Sequence, residues 1–467
     1  MLTDKFPPNV VGGAEISLKT TLDHIPEGIA SIHVAVLDQP SDSSIKRDPL
    51  GARFPVARIA GLGQWPPKYP YPKEGERPLT GLRGRLAWPI AAVRYLFTPN
   101  GRGFFARYKR LQAFRALTKR RFIHNMPSFD DDLVPASRTR RQLRSLVREI
   151  RPDLIHADNT RSILLAAALG SKAPARVAMV RDNRFLCSRR DQDTHVDGQP
   201  CGACQLECLD KEDPEVRRHS IGIMNDVSAY RRACLSKHDG VVTTSAYLEK
   251  QVRNIGTVRP IHRVANPALF EPPGNSRRVS SADTPEILVV GMLNDNKGQA
   301  NVINWIRDVS AQYGFVRFVL AGRGQMAGRL QREAEAAGVS DQLHLAGFLG
   351  RDELQTAYQR ARLVLIPSIW PEPFGRVPLE AGIAGKPVVA YAVGGLVETI
   401  KQGETGFLVP PGDEAALVSR MVWLLQNQAE ADAIGLAAQK HIEKTFTPEA
   451  SASALLESWR SILNEAA

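Results

Sequence analysis

The segment Pro371-Glu372-Pro373-Phe374-Gly375-Arg376-Val377-Pro378-Leu379-Glu380-Ala381 gathers two carboxylates, a glycine and a cation in one short stretch. Proline is tolerated only in the first turn of a helix, so Pro378 predicts a helix that begins close to Arg376. Free backbone N–H groups then lie around Phe374 to Pro378, and Gly375 removes the side chain that would keep an anion away. Such a turn suits a diphosphate. Glu372, just before the helix, and Glu380, one turn inside it, would repel that phosphate, so their natural partners are hydroxyl groups at its two ends. Those hydroxyls would be a sugar's and a ribose's. The plainer reading of the same pair is a helix cap and a surface charge.

These residues need a scaffold that brings loop ends together. After residue 285, short apolar runs alternate with longer segments at helical spacing, the pattern of strand-helix units stacked on a parallel sheet. Strands are predicted at 287–290, 315–321, 342–345, 363–367, 387–390 and 406–409, with helices at 298–313, 326–337, 352–360 and 414–427. Connected in that order they make a doubly wound sheet whose ligand crevice lies at the carboxyl ends of the strands. The first half reads similarly, with strands at 32–37, 154–157, 176–180 and 240–243 and a helix from Ala14 to Leu22, but insertions at about 50–125 and 183–230 break the rhythm. The expected organisation is therefore α/β with two such domains facing each other across a cleft: residues 1–268, a breaker-rich linker at 269–284 around Pro272, Pro273 and Gly274, and residues 285–445. Residues 446–467 read as a helix that packs back on the first domain. Only Met1 to Thr3 precede Asp4, which is short for an opening strand, so the natural start is expected upstream of Met1.

Composition excludes several classes. With 467 residues, 43% hydrophobic and 24% charged, the chain is neither fibrous nor largely unfolded. No apolar run is long enough to span a bilayer and the first residues lack a secretion-signal pattern, so the expected location is the cytoplasm. The formal charge of +12 is concentrated: between Pro78 and Phe129 there are eleven Lys or Arg and no Asp or Glu, among aromatics that include Trp88, Tyr95, Phe104 and Phe105. A solvated helix face with core aromatics, an anionic membrane surface at the inner face of the membrane, and another polyanion all fit this segment. Cys187, Cys201, Cys204 and Cys208 cluster, while Cys234 stands apart. In a reducing compartment four such thiolates suit a structural zinc; an iron-sulfur cluster, unligated thiols or disulfides are the alternatives.

The segment from Glu372 to Glu380 resembles the signature of the retaining nucleotide-sugar glycosyltransferases of family 4, which have the GT-B fold. Its setting resembles that family too: Leu363 to Ser368 before it, then Gly385-Lys386-Pro387, Gly394-Gly395-Leu396-Val397-Glu398 and Gly403-Glu404-Thr405-Gly406. In the first half the likeness includes Asp4 to Pro8, Gly12-Gly13-Ala14-Glu15 and Pro152 to Ala157.

The resemblance implies a nucleoside diphosphate sugar as donor, with Glu380 on the ribose, Glu372 on the transferred sugar, and Phe374, Gly375 and Arg376 along the diphosphate. It implies that Lys297 stabilises the leaving diphosphate and that Gly12 and Gly13 open a helix near the donor phosphates; the two glycines alone could equally be a tight turn. Two positions depart from the family. Met292 stands where an Arg is usual, leaving Arg376 or Arg323 to supply the charge, and Arg181 stands where many members place a His. The implied mechanism retains configuration with no dedicated protein base and no required metal: the departing diphosphate oxygen takes the acceptor's proton. The acceptor is unidentified; a lipid-linked or cell-surface polysaccharide intermediate fits the basic segment, and nucleic acid is not expected as a partner. His156 either lines the cleft or is structural. Rival readings are a GT-B epimerase or phosphorylase, a degenerate GT-B protein, and a zinc-containing polyanion binder.

Overall fold

The computed structural model describes residues 1–3, 13–37, 46–48, 56–59, 137–170, 173–183, 185, 229–256, 259–269 and 284–466. The basic segment and the four clustered cysteines lie outside the described residues. Two sheets organise the rest.

The first sheet is built from β1 (Leu2–Thr3), β2 (Val34–Leu37), β3 (Lys46–Asp48), β4 (Val56–Ile59), β5 (Leu154–Asp158), β6 (Ala175–Val180), β7 (Gly240–Thr243) and β8 (Ile261–Arg263). Its order is β3-β4-β2-β1-β5-β6-β7-β8, parallel except for the β3–β4 pair. Helices α1 (Gly13–Asp23), α2 (Ser137–Ile150), α3 (Thr160–Ala167) and α4 (Ala246–Asn254) connect and cover it. Residues 56–59 fall inside the segment read as an insertion, yet they extend the sheet, with Val56 level with Val34. Val56-Ala57-Arg58-Ile59 is neither a continuous apolar run nor a strict alternation, so its pattern does not announce a strand; pairing with β2 makes it one.

The second sheet contains β9 (Glu286–Val290), β10 (Arg317–Ala321), β11 (Leu343–Gly347), β12 (Leu363–Ile366), β13 (Val388–Tyr391) and β14 (Gly406–Val409), all parallel. Between them run α5 (Val302–Tyr313), α6 (Ala327–Ala337), α7 (Arg351–Arg360), α8 (Val377–Ile383) and α9 (Leu396–Thr399), followed by α10 (Glu414–Gln426), α11 (Gln428–Thr445) and α12 (Pro448–Ala466). The strands are near-continuous apolar runs because helices bury both faces; Leu363, Val364 and Leu365 are fully buried. The order β11-β10-β9-β12-β13-β14 reverses direction between β9 and β12. At such a switch point the connections leave the sheet in opposite directions, and a ligand crevice is expected at the carboxyl edge of the strands.

The chain ends on the first sheet, not the second. The Trp459 indole of α12 donates to His156 Nδ1 on β5 at 2.9 Å, and Ser451 Oγ donates to the Ala265 carbonyl at 2.8 Å. Ile462 is fully buried over Gly240 of β7, where any Cβ would lie 2.3 Å from its Cδ1. Among the described residues no helix is long and apolar enough to cross a membrane.

Candidate active site

The loops at the crevice carry the residues singled out by spacing. After β9, residues 291–298 turn through a short 3-10 segment, Asp295–Lys297, that ends at Gly298. Gly298 has φ +76°, and a Cβ there would sit 1.8 Å from the Pro367 carbonyl oxygen, so only glycine lets this loop lie against the end of β12. The Trp370 N–H donates to the Asn296 carbonyl at 3.1 Å and completes the seam. Lys297 on one loop and Glu372 on the other then meet: Nζ donates to Glu372 Oε1, above the Trp370 ring at 4.6 Å from its centroid. Both side chains keep an edge exposed, at 23% and 15%.

Eight residues further on, Glu380 lies in the first turns of α8 and is buried, 8% exposed. Arg376 Nη2 donates to its Oε1 at 3.0 Å, and the fully buried Tyr358 of α7 donates its hydroxyl to Oε2 at 2.8 Å. Burial pushes the Glu380 carboxyl above its ordinary value, against the pull of Arg376 and of the Tyr358 hydroxyl. Burial likewise pushes the Tyr358 phenol well above its ordinary value, with the neighbouring carboxylate adding to it. Tyr358 thus donates throughout the physiological range. Spacing could not disclose this residue, because its link to Glu380 spans 22 positions and two elements.

The flanking positions divide in a way that spacing does not foresee. Gly375 has φ +87°, and a Cβ there would meet Leu396 Cδ2 at 2.4 Å. Its glycine is therefore demanded by the backbone and by packing against α9, besides any ligand. The Phe374 ring is buried, edge-on to Phe446 at 5.7 Å, and clusters with Leu379, Ile383 and Ile442. Its side chain belongs to the core and does not line the candidate site. Arg323, after β10, rests over the exposed Phe348 ring at 5.6 Å. The Leu293 N–H donates to the Arg323 carbonyl at 3.1 Å, which sets Arg323 beside the Met292 loop; Met292 itself is 63% exposed.

In the first domain, Gly13 is the first residue of α1, while Gly12 lies outside the described residues. Arg181 is buried, donating to Asp158 Oδ1 at 2.7 Å and to Asn266 Oδ1 at 2.9 Å. Its guanidinium is thereby committed to the first domain's interior. His156 is 1% exposed beneath α12 and is held well below its ordinary pKa by burial, so it is neutral and structural. Cys187, Cys201, Cys204 and Cys208 fall outside the described residues, among which no cluster of three or more His, Cys, Asp or Glu could hold a metal ion.

Two carboxylate–cation pairs thus flank the loop 371–376 at the carboxyl edge of the second sheet. Residues 275–441 match the family model glycosyl transferases group 1. That stretch takes in the second sheet and every candidate residue on its loops. Among curated proteins, the 2-deoxystreptamine N-acetyl-D-glucosaminyltransferase of Niallia circulans is 26% identical over 162 residues, which is 35% of this chain and 41% of that one. The chain spans less than half the length of each of the first curated relatives it matches. Solved structures match along the whole chain: sucrose-phosphate synthase from Thermosynechococcus elongatus has a TM-score of 0.65 at 19% identity, covering 99% of this chain and 98% of that one. HepE of Anabaena, in complex with UDP and glucose, has a TM-score of 0.61 at 17% identity, with 98% of each chain covered. The fold is GT-B.

Proposed function

We propose that this chain is a retaining glycosyltransferase that moves a sugar from a nucleoside diphosphate donor to an acceptor bound on the first domain's side. The observation that carries the reading is the double pairing, Lys297 with Glu372 and Arg376 with Glu380, at the two ends of one loop in a glycosyl transferases group 1 domain.

Each residue then has a chemical task. Glu380, with two oxygens oriented by Arg376 and Tyr358, keeps lone pairs to accept from the ribose hydroxyls. Glu372 accepts from the transferred sugar's hydroxyls. Lys297 and Arg323 bring positive charge to the leaving diphosphate, Arg323 replacing the cation that Met292 does not supply. Arg376 is the weaker replacement, since its guanidinium is already paired with Glu380. Such fixed charges are commonly the largest part of catalysis, because they oppose negative charge that grows only as the bond to the sugar breaks. The oxygen that departs with the diphosphate takes the acceptor's proton on the same face, which retains the anomeric configuration. A lipid-linked acceptor at an anionic membrane surface suits the basic segment between Pro78 and Phe129.

The deciding experiment is a panel of nucleotide sugars, UDP-sugars first, tested for thermal stabilisation and slow hydrolysis with the native protein and with Glu380→Ala. Hydrolysis needs no acceptor. A donor that stabilises only the native protein and releases nucleoside diphosphate supports the transferase. A panel that neither stabilises nor hydrolyses sinks it.

A further inference from the structure

The loop that carries Glu372 is held by its carbonyls, and two of the three holders come from the other domain. Pro371 O accepts from Asn183 Nδ2 at 2.9 Å. Glu372 O accepts from the Gly395 N–H at 2.6 Å. Pro373 O accepts from Ser245 Oγ. Proline has no N–H and a nearly fixed φ, so two of these three residues can be gripped through the backbone only at their carbonyls. All three carbonyls of the Pro-Glu-Pro segment are satisfied, and the Glu372 side chain is left projecting towards Lys297.

The first-domain holders are themselves fixed. Asn183, three residues beyond β6, is buried, and its Oδ1 accepts from the Tyr247 hydroxyl at 3.1 Å, so the amide presents its NH2 group to Pro371. Ser245 is the N-cap of α4: the Oγ that donates to Pro373 also accepts from the Leu248 N–H at 3.1 Å. The two N–H groups before it, of Ala246 and Tyr247, donate to the carboxylate of Glu398 at 2.8 and 2.9 Å. Glu398 belongs to α9, whose N-cap is Gly395, the residue that holds Glu372 O. A continuous set of hydrogen bonds therefore runs from the α4 N-terminus through α9 to the Glu372 backbone and returns through Ser245.

The nucleotide end is built differently. Glu380, Arg376 and Tyr358 all belong to the second domain and bond to one another. We propose that Asn183 and Ser245 are positioning residues for Glu372, and that the first domain completes the sugar end of the donor site by fixing the backbone that carries this carboxylate. The proposal rests on the reading of Glu372 as the group that contacts the transferred sugar. It makes the two ends of the site separable: loss of the first-domain grip should impair turnover while leaving nucleotide affinity intact.

The test uses the full chain with Asn183→Ala, Ser245→Ala and the double variant. Donor hydrolysis gives kcat and KM, and calorimetry gives the affinity for UDP. Removing a buried hydrogen bond to a positioned backbone should lower kcat roughly tenfold per variant, and by more in the double variant. UDP affinity should stay within about twofold, because neither Asn183 nor Ser245 contacts Glu380, Arg376 or Tyr358, the groups read here as the nucleotide's holders. Ser245→Thr, which keeps the hydroxyl, should restore most of the rate. If the double variant does not fold, Asn183→Asp serves in its place: it keeps the size of the side chain, but an ionised carboxylate cannot donate to Pro371, so kcat should fall with UDP affinity again unchanged. Native-like kcat in these variants, or UDP affinity falling in step with kcat, overturns the proposal. The failures are distinguishable. A native protein that neither binds UDP nor hydrolyses any donor in the panel removes the transferase reading and this proposal together, whereas active native protein with equally active variants removes this proposal alone.

Discussion

The two ends of the candidate site, the proposed nucleotide end at Glu380 and the proposed sugar end at Glu372, are assembled by opposite means. At the nucleotide end, Arg376 and Glu380 are four residues apart on one helix start, and Tyr358 reaches them from the preceding helix. At the sugar end, the loop is held across 188 positions by Asn183 and across 128 by Ser245. A short parallel unit fixes the first through local geometry, while the second depends on how a different domain packs against it. The difference teaches where function can drift: on the proposed reading, residues of the first domain can change how Glu372 is held without touching Arg376, Glu380 or Tyr358.

The largest effect expected is at the junction of the two ends. Lys297→Ala removes the cation paired with Glu372, and kcat for donor hydrolysis should fall by about 10²–10³, roughly 3–4 kcal/mol of transition-state stabilisation. The affinity for UDP should change much less. A variant within threefold of the native rate would take Lys297 out of the chemistry.

Next comes a change that loads the first domain only. Ile462 is fully buried where α12 crosses Gly240, so Ile462→Ala leaves a cavity and should cost about 2–5 kcal/mol in urea unfolding. Because this core is separate from the one beneath the second sheet's loops, UDP affinity under native conditions should hold. Loss of nucleotide affinity in step with stability would show that the two cores act as one unit.

The same contrast explains what could be read from the residues alone. The second sheet was legible because its strands are compact, largely apolar runs and nearly every loop is punctuated by glycine or proline, the Ala361-Arg362 connection being the exception; Pro378 does lie at the start of α8, whose N-cap is Arg376. The candidate pairs were legible as types and spacings, but not as partners: nothing in the spacing joins Lys297 to Glu372, because parallel strands bring together loops that are 75 positions apart. Phe374 reads as a ligand-lining residue by position, yet its ring completes a hydrophobic cluster with α11 and Phe446. Nothing local marks Asn183, Ser245 or Glu398 as a contact between the two domains, although Ser245 is of a type that caps helices and Glu398 closes the Gly394-Gly395 motif. A polar residue that caps a helix and one that grips another domain look alike until the domains are in contact.

A smaller effect is expected from Tyr358→Phe, which removes only the hydroxyl that orients Glu380. A buried hydrogen bond to a charged group contributes about 1.5–3 kcal/mol, so UDP should bind about tenfold or more weakly, with kcat nearly unchanged. If Glu380 reads the ribose, the preference for UDP over its 2′-deoxy counterpart should shrink in the same variant. A uniform loss of affinity for both nucleotides would assign Tyr358 to structure alone.

The smallest effect is one of pH dependence, and its sign is decided by which interaction wins at Glu380. Burial raises its carboxyl pKa, and Arg376 and the Tyr358 hydroxyl only partly oppose this. The folded chain therefore holds this proton to a higher pH than the unfolded chain does, so folding takes up a proton across the window between the ordinary carboxylate value and the raised one. The stability owed to the group is complete below that window and is lost as pH rises through the raised value. Glu380→Gln has no proton to lose and escapes the loss. The difference in Tm, variant minus native, should therefore be more positive at pH 7.5 than at pH 4, by less than the effect of Ile462→Ala. Thermal melts of both proteins at the two pH values decide it. A difference that falls with rising pH would mean that the ion pair with Arg376 outweighs burial, which would make the nucleotide end a net source of stability instead of a strained site kept for its ligand.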